Sequence, residues 1–381
     1  AFTYKPVLRT NIGQKNINNL KKIGVHGLRN LTSNELQLSR TTNFLYGKNG
    51  SGKTSFLEAV HVLGRGKSFR SRILDPIIND VVNSCTVFGT IEKNGFTTSV
   101  GVTRTRNNDF KFKINGQSVN NSSLLADTMP LLVINSDSFK LLNSGPQFRR
   151  QYLDWGVFHV ERSYRDVLKN FNRVLKQRNS LLRCDRINID LLKVWSAEFV
   201  CLAEEVDKYR KSYLIGLAEK INWVLSEISD LRNIDFKYYS GWDTEKNLLS
   251  ILDFDKQRDF KMRATSHGPH RSDLRISLNK RMASEVLSRG QTKILVIAMQ
   301  IAQGFLYYEK TKEQCLYLVD DLPSELDSLH RKKVGRLLYD SGAQTFITGV
   351  LKEDLIESWP KNDSKIEMFH VEHGKITQQL K

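Results

Sequence analysis

Cysteine and long apolar runs are both scarce in this chain. The four cysteines, Cys85, Cys184, Cys201 and Cys315, are widely separated and form no Cys-x-x-Cys pair. This pattern excludes a disulfide framework, argues against a zinc site and predicts a reducing compartment. No apolar run approaches the ~18 residues that span a bilayer, and the first residues contain no secretory apolar core. We therefore expect a cytoplasmic protein with no membrane partner.

Acidic residues are also in deficit. The chain has 58 Lys and Arg against 41 Asp and Glu, which gives a net charge of +17 over 381 residues. A basic excess of this size predicts a polyanionic partner, nucleic acid before a membrane surface. The alternative is a generally cationic, solvated surface.

A phosphate-binding loop is the most informative motif. The apolar residues 44–46 predict a buried strand, a glycine-rich turn follows, and apolar residues at helical spacing begin after Lys53. This is G-x-x-x-x-G-K-[ST] in its strand–loop–helix context. Inward-facing backbone N–H groups and the helix N-terminus favour a phosphate. Lys53 can reach the β- and γ-phosphates of ATP, and the Thr54 hydroxyl can ligate Mg²⁺. The predicted ATP-binding residues of the loop are Gly47, Lys48, Asn49, Gly50, Ser51, Gly52, Lys53, Thr54 and Ser55.

An acidic strand end is the expected partner of that loop. The apolar residues 316–319 predict a strand that carries Asp320 and Asp321 at its end. Asp320 is the expected Mg²⁺ partner together with Thr54. Asp321 is expected to polarise the water that attacks the γ-phosphate, with Lys53 as a further catalytic residue. Without the phosphate loop, a buried strand running into an acidic turn would be the simpler interpretation.

A third motif indicates the ATPase class. Residues 287–291, Leu-Ser-Arg-Gly-Gln, precede an apolar helical run, and they resemble the LSGGQ signature of ABC-type ATPases. Free backbone N–H groups at a helix start can bind phosphate. In that family the signature contacts the nucleotide held by the other subunit. The resemblance therefore implies an ATP-dependent homodimer, with Ser288 as a catalytic contact and Gly290 and Gln291 beside the nucleotide.

Further strands surround these motifs. Residues 23–26 and 35–38 predict two antiparallel strands, and the turn between them offers Arg29 and Asn30 as ribose or phosphate contacts. Those two residues fit an exposed turn equally well. Three more antiparallel strands are predicted at residues 87–91, 96–102 and 110–114. Thr348 ends a last buried strand, where it could contact the γ-phosphate.

Two basic segments are candidate DNA contacts. The first follows the phosphate-loop helix and contains Arg65, Lys67, Arg70 and Arg72. The second is a predicted helix with Arg162, Arg165, Lys169, Arg173 and Lys176 on one face, because their spacing keeps them within about 80°. We call the second set the basic stripe. A solvated linker and a solvated helix face are the respective alternatives.

The motifs together resemble the RecF family of recombination mediators. The resemblance is carried by residues 47–58, 66–71, 145–155, 175–179, 267–270, 287–291 and 320–327. It implies an ATPase that dimerises with ATP on double-stranded, gapped or single-stranded DNA, works with a RecR-type mediator and helps to load recombinase. Three features depart from the family pattern. Leu28 precedes Arg29 where the family has Phe, and the strand at 131–139 lacks a glutamine, which leaves Asn135 or Asp137 as substitutes. The N-terminal extension is not part of the family pattern.

The expected fold is α/β, an ABC-type P-loop ATPase head with a mixed sheet, an antiparallel sheet and an inserted short α-helical arm. We expect a disordered extension at 1–19, the head at 20–140 and 261–381, and the arm at 141–260. Alternative identities are an SMC-like head, a transporter ATPase subunit, or a DNA-binding protein with an inactive nucleotide site.

Overall fold

The computed structural model describes residues 18–70, 77–93, 95–107, 109–119, 122–361, 363 and 365–379. Contacts divide them into two units. Unit 1 takes its residues from segments 1–139, 223–230 and 293–381, and unit 2 from 140–222 and 231–292. No helix in the described ranges is long and apolar enough to cross a membrane.

The described strands are numbered in chain order. They are β1 (Asn19–His26), β2 (Asn34–Gln37), β3 (Thr42–Tyr46), β4 (Ser84–Lys93), β5 (Phe96–Thr105), β6 (Phe110–Ile114), β7 (Gln117–Val119), β8 (Leu131–Ile134), β9 (Ile234–Tyr239), β10 (Asp273–Leu278), β11 (Arg281–Met282), β12 (Leu316–Val319), β13 (Thr345–Gly349), β14 (Ile366–Glu372) and β15 (Lys375–Gln379).

The described α-helices follow the same convention. They are α1 (Lys53–Arg65), α2 (Ser122–Thr128), α3 (Lys140–Asn143), α4 (Pro146–Val160), α5 (Tyr164–Leu182), α6 (Ile189–Ile228), α7 (Leu248–Phe254), α8 (Lys256–Met262), α9 (Ala283–Val286), α10 (Arg289–Thr311), α11 (Leu322–Glu325), α12 (Ser328–Asp340) and α13 (Lys352–Glu357). Short 3₁₀ helices lie at Ser136–Phe139 and Pro269–Arg271.

Unit 1 contains the two sheets that the sequence predicts. The antiparallel sheet has the order β2-β1-β4-β5-β6-β7, and the mixed sheet has the order β15-β14-β3-β13-β12-β8. Only β15 runs antiparallel to its neighbour in the mixed sheet. Helix α1 packs against strands of both sheets, and it is buried from Ser55 to Gly64. A helix covered on all sides is mostly apolar, and the buried Glu58 and His61 of α1 are each hydrogen-bonded.

The register of the mixed sheet brings three strand ends together. Gly349 of β13 pairs with Tyr46 of β3, and Val319 of β12 pairs with Ile347. Because parallel strands end at the same edge of a sheet, the phosphate loop, Thr348 and the acidic pair meet there. All four residues of β12 are buried, so this edge is anchored in the core.

Unit 2 combines helices with a three-stranded sheet of order β11-β10-β9. Two buried arginines tie it together. Arg178 donates to the Asp259 carboxylate over 2.8 Å and to the Thr265 hydroxyl over 2.7 Å. Arg210 donates to both oxygens of Asp154, over 2.7 and 2.9 Å. Such pairs keep a cluster buried because each charge is matched.

The structure corrects several predictions about organisation. Residues 261–292 lie with unit 2 and not with the ATPase head, whereas 223–230 lie with unit 1. Residues 189–228 form one continuous helix of 40 residues, α6. The strand β9 was not predicted. The expected disordered extension lies outside the described residues up to 17. Its last two residues, Asn18 and Asn19, are buried, and Asn19 opens β1.

Candidate functional site

The phosphate loop depends on three glycines with positive φ angles. The values are 149° at Gly47, 77° at Gly50 and 119° at Gly52, a region that other residues rarely adopt. A Cβ atom on Gly47 would also lie 2.2 Å from the carbonyl oxygen of Val371. The N-terminus of α1 has neither a side-chain cap nor an acidic residue in its first turn. Its N–H groups and positive dipole end are therefore available to an anion.

Lys53 is folded back onto the loop that precedes it. Its ammonium group donates to the carbonyl oxygens of Gly47 and Lys48 over 2.7 and 2.9 Å. Burial lowers the pKa of Lys53, and the nearby charges of Asp321 and Asp320 partly oppose this shift. A buried ammonium held only by neutral carbonyls would gain from an anionic partner.

Asp320 is the centre of a hydroxyl network. Thr54 Oγ1 lies 2.9 and 3.0 Å from its two carboxylate oxygens, and Thr348 Oγ1 donates to Oδ1 over 2.8 Å. Burial raises the pKa of Asp320, hydrogen bonds from Thr348 and Thr54 lower it, and the charge of Asp321 raises it. The Thr348 hydroxyl also accepts from the backbone N–H of Asp321 over 2.8 Å. Thr348 therefore fixes the acidic pair.

Asp321 is held in an unusual backbone conformation. Its φ of 55° is left-handed, and it stands at the N-terminus of α11. Its Oδ1 is buried and has no hydrogen-bond partner among the described residues. A carboxylate oxygen left unpaired in this way needs a ligand or water. The oxygen donors of Thr54 and Asp320 beside it are the hard ligands that Mg²⁺ prefers, so the residues fit that ion.

These groups line one cleft of unit 1. Its volume is about 630 Å³. The predicted residues that line it are Arg29, Asn30, Asn49, Gly50, Gly52, Lys53, Thr54, Ser55, Asp320, Asp321 and Thr348. Four lining residues that were not predicted are Ile78, Asn79, Asp80 and Val81, which follow an undescribed segment. No sequence motif marks them, because the fold alone brings them to the cleft.

Arg29 and Asn30 line the cleft and also hold helix α1 and the phosphate loop in place. Arg29 forms a two-point ion pair with Glu58, with both nitrogen–oxygen distances at 2.9 Å. Asn30 donates to the Gly50 carbonyl over 3.1 Å and accepts from the Ser55 hydroxyl over 2.9 Å. Glu58 is completely buried and also accepts from Ser68. No role was predicted for Glu58, which lies one turn after Thr54 in α1.

The signature residues lie in unit 2 at the start of α10. The Ser288 N–H donates to the Gln291 side chain over 3.0 Å, and the Gln291 N–H donates to the Ser288 hydroxyl over 3.2 Å. This reciprocal pair is a capping box. Ser288, Arg289, Gly290 and Gln291 are all exposed, and a Cβ on Gly290 would meet nothing within 4 Å. The signature therefore presents an open helix start.

The first basic segment differs from its prediction. Arg65 is half-buried in the last turn of α1, where burial lowers its pKa. Lys67 is exposed, and its carbonyl lies 2.6 Å from His61 Nδ1. Arg70 lines the cleft, 4.0 Å from Glu58, and Arg72 lies outside the described residues. Arg70 thus faces the nucleotide cleft, which the sequence analysis did not foresee.

The basic stripe is also shorter than predicted. Arg162 precedes the first residue of α5, so it does not share the helix. Arg165 is half-buried, with its guanidinium carbon 4.8 Å from the ring centre of Phe158. Lys169, Arg173 and Lys176 are exposed, and Arg173 pairs with Glu198 over 3.3 Å. Three exposed cations of the stripe remain on α5.

Neither suggested glutamine substitute lines the cleft. Asn135 is buried, and its side-chain oxygen accepts from the backbone N–H of Ser138 over 3.0 Å. Asp137 lies in the following 3₁₀ helix. The role proposed for these two residues has no support in this geometry.

Comparison with solved structures agrees with the fold. "Structure of the recombination mediator protein RecF-ATP in RecFOR pathway" superposes with a TM-score of 0.85 at 24% identity and covers 100% of both chains. The Smc head domain of Pyrococcus furiosus superposes with a TM-score of 0.58 at 14% identity, covering 95% of this chain and 96% of that one. The fold is thus that of RecF- and SMC-type ABC ATPase heads.

Sequence comparison gives the family. The sequence model described as RecF/RecN/SMC N terminal domain matches residues 19–377. The DNA replication and repair protein RecF of Pseudomonas aeruginosa (strain LESB58) is 45% identical over 360 residues, which is 94% of this chain and 97% of that protein. RecF of Pseudomonas syringae pv. tomato is 44% identical over 94% of this chain and 98% of that protein. The chain belongs to the RecF family of DNA replication and repair proteins.

Proposed function

We propose that this chain binds ATP with Mg²⁺ in the cleft of unit 1 and uses it to close a homodimer on DNA. The observation that carries the proposal is the meeting of Lys53, Thr54 and Asp320 at one sheet edge, with the unpaired Asp321 oxygen beside them. The ATP named with the similar RecF structure agrees with this ligand.

The cleft has groups for the phosphates and for the metal ion of a bound nucleotide. The N–H groups of residues 50–55 surround the phosphates, and Lys53 exchanges its two carbonyl partners for phosphate oxygens. Arg70 adds a second cation at the cleft. Thr54 and Asp320 hold Mg²⁺, which when bound neutralises the developing charge on the phosphates. Arg29 and Asn30 position the loop through Glu58 and Gly50.

Asp321 is the base for hydrolysis in this proposal. Its unpaired oxygen accepts a proton from water, and its left-handed backbone holds the carboxylate at the strand end. Aspartate is one methylene shorter than the glutamate usual in transporter ATPases. Small losses of reach slow such a step strongly, so we expect slow hydrolysis, stimulated when DNA favours the closed dimer. Turnover of about 10–100 per second, as in kinases, would contradict this role.

The second copy completes the site. Ser288 and Gly290 of that copy lie at an exposed helix start, where N–H groups can bind the γ-phosphate. While the copies are apart, the capping box satisfies the N–H groups of Ser288 and Gln291. ATP bridges the cleft of one copy and the signature of the other, and its hydrolysis lets the two copies separate.

DNA is the proposed polyanion. The net charge of +17 and the exposed cations Lys169, Arg173 and Lys176 favour phosphate contacts. The similar structure is named as a recombination mediator in the RecFOR pathway. By that likeness we propose binding at gapped duplexes, contact with a RecR-type mediator and assistance in loading recombinase on single strands.

Sedimentation velocity tests the proposal. The protein is run with ATP, with ADP and without nucleotide, each with and without a gapped duplex. A dimer that forms only with ATP, and more readily with DNA, is the expected result. A monomer under every condition would contradict a nucleotide site shared between two copies. The same ATPase rate with and without DNA would contradict the stimulation of hydrolysis by DNA.

A further inference from the structure

The outer face of the antiparallel sheet in unit 1 carries an exposed aromatic ring. Phe88 is 42% exposed, whereas its neighbours Val87 and Ile91 on β4 are buried. An aromatic ring that faces water from a central strand needs an explanation, because such rings usually pack in a core.

Phe88 is flanked by glycines on both sides. Its cross-strand partner on β1 is Gly24, and its partner on β5 is Gly101. A Cβ on Gly24 would lie 2.1 Å from Phe88 Cζ, so the ring lies across Gly24. A Cβ on Gly101 would meet nothing within 4 Å. The ring thus leans towards β1 and leaves open space over β5.

A lysine stands on the far side of that space. Gly101 pairs with Lys113 of β6, and directly opposed residues of an antiparallel pair share a face. Phe88 and Lys113 are therefore the two sides of a groove about 9.5 Å across, twice the strand spacing. In the next row Thr103 pairs with Lys111, about 6.6 Å along β6 from Lys113. The floor is Gly101 and Thr103.

The charge of this groove is positive. Lys111 and Lys113 are exposed and have no ion-pair partner within the described part of the chain. By contrast, Glu35 on the same sheet is paired with Lys22, and Glu92 with Lys21. One carboxylate, Asp109, stands at the turn before β6. The groove thus combines a ring with two adjacent unpaired cations.

We propose that this groove binds single-stranded nucleic acid, with one base stacked on Phe88 and neighbouring phosphates on Lys111 and Lys113. A ring beside a cationic track is the arrangement that holds unpaired strands without reading their sequence. A paired base cannot stack on the ring, and a duplex is wider than the groove. The site lies outside the nucleotide cleft and does not need ATP. It depends on the proposed function only for the choice of DNA as the probe.

Fluorescence anisotropy with labelled oligothymidylate of about 12 nucleotides tests the site on the full chain without nucleotide. Phe88→Leu keeps the apolar cover of Gly24 but removes the ring, and should weaken binding about tenfold. Phe88→Trp should retain binding, with indole emission quenched by the bases. Gly101→Val should weaken binding while leaving the thermal midpoint unchanged or raised, because valine favours strands and the space above is open.

Removing two phosphate contacts should change how strongly DNA binding depends on salt. The double variant Lys111→Gln/Lys113→Gln should reduce the slope of log K against log salt by about 1.4. The control Lys310→Gln/Lys312→Gln changes the same charge at two exposed lysines near the end of α10. It should leave the slope close to that of the unchanged protein.

Several results would overturn the proposal. Binding by Phe88→Leu and Gly101→Val at the original affinity would mean that the ring only covers Gly24. Equal losses for single strands and for a matched duplex would exclude stacking. If these variants bound single strands as before but self-associated differently, the outer face of the sheet would be a protein-contact surface and not a nucleic-acid site. ATP-dependent dimerisation, measured on the same variants, should remain; if no form of the protein dimerises, the proposed function fails while the groove result stands.

Discussion

Each unit contains a cluster of carboxylates near cations, the Asp259 cluster in unit 2 and the Asp321 cluster in unit 1, and the two clusters satisfy their charges differently. In unit 2, Asp259 accepts from Arg178 over 2.8 Å and from the backbone and hydroxyl of Ser266 over 2.9 and 2.6 Å. In unit 1, Asp321 leaves a buried oxygen unpaired, and Lys53 contacts only carbonyls of its own loop. The first cluster is complete by itself, whereas the second leaves an Asp321 oxygen unpaired and Lys53 without a hydrogen-bonded anion.

This difference separates structural from functional charge. A buried ion pair with every lone pair matched holds helices and loops in register, and it offers nothing to a ligand. A cluster with unmatched groups at a strand edge costs stability and is maintained for what it binds. The comparison predicts that substitutions in the two clusters will have opposite effects on folding and on ATP chemistry.

The largest expected effect is on hydrolysis. Asp321→Asn removes the base but keeps the shape of the side chain, and should lower the ATPase rate by about 10²- to 10⁴-fold. ATP binding should persist, and the dimer should become long-lived because hydrolysis no longer separates it. Single-turnover hydrolysis and sedimentation measure the two properties. Rapid dissociation of the variant dimer would count against Asp321 as the base.

Unit 2 should respond in folding instead. Arg178→Met leaves the Asp259 carboxylate buried without its cation, and should lower the free energy of unfolding by about 3–5 kcal/mol. Chemical denaturation measures it. The control is Arg173→Met on the same helix, where an exposed pair with Glu198 is worth no more than about 1 kcal/mol. Equal losses of unfolding free energy in the two variants would show that the buried Arg178 network stabilises the protein no more than an exposed ion pair does.

Lys53→Ala is the matching test in unit 1. Loss of a charged donor to phosphate should weaken ATP binding about 10- to 100-fold, as measured by calorimetry. Stability without nucleotide should not fall, because burial already lowers the Lys53 pKa and disfavours the ammonium. ATP-driven dimerisation should disappear, while weak, salt-sensitive DNA binding remains. A clear loss of stability would mean that Lys53 is structural.

The smallest effect concerns pH. Burial lowers the pKa of His270 to about 4. Its Nε2 donates to the Thr265 carbonyl over 2.9 Å, and its Nδ1 is buried without a partner among the described residues. Protonation would place an unpaired N–H there. The stability due to neutral His270 is therefore present above about pH 6.5 and is lost as the pH falls towards 4.

Denaturation at several pH values between 7 and 4 measures this contribution. His270→Gln should flatten the curve in that range, whereas the exposed His373 offers a control, His373→Gln, that should leave it unchanged. If the unfolding free energy of His270→Gln fell as steeply with pH, the His270 ring would not be the source of the pH dependence.

The nucleotide cleft could be predicted where chemistry is local in sequence. The loop at 47–55 and the acidic strand end each carry their function within a few residues, and the structure brings them together. Glu58, Asn79 and Arg70 could not be placed in this way. Their positions depend on how α1 packs against two sheets and on where the following loop returns, which no local pattern specifies.

The predicted boundary at residue 261 differs from the unit boundary in the structure for a related reason. Residues 261–292 contain β10 and the signature, both of which suggest an ATPase head by sequence. Their contacts, however, are with helices of unit 2, through Arg149 to Asp273 at 2.6 Å and Arg210 to Ser272 at 3.0 Å. Charged partners more than 60 residues apart decide the boundary, and sequence periodicity does not report them.

Mixing two inactive variants tests the composite site most directly. Lys53→Ala has an intact signature, and Ser288→Arg has an intact phosphate loop. A mixed dimer then contains one complete site, made from Lys53 of one copy and Ser288 of the other. We predict that each variant alone is defective in ATP hydrolysis and that mixing them restores it. Failure of every mixture to restore hydrolysis, with both variants folded, would contradict a nucleotide shared between two copies.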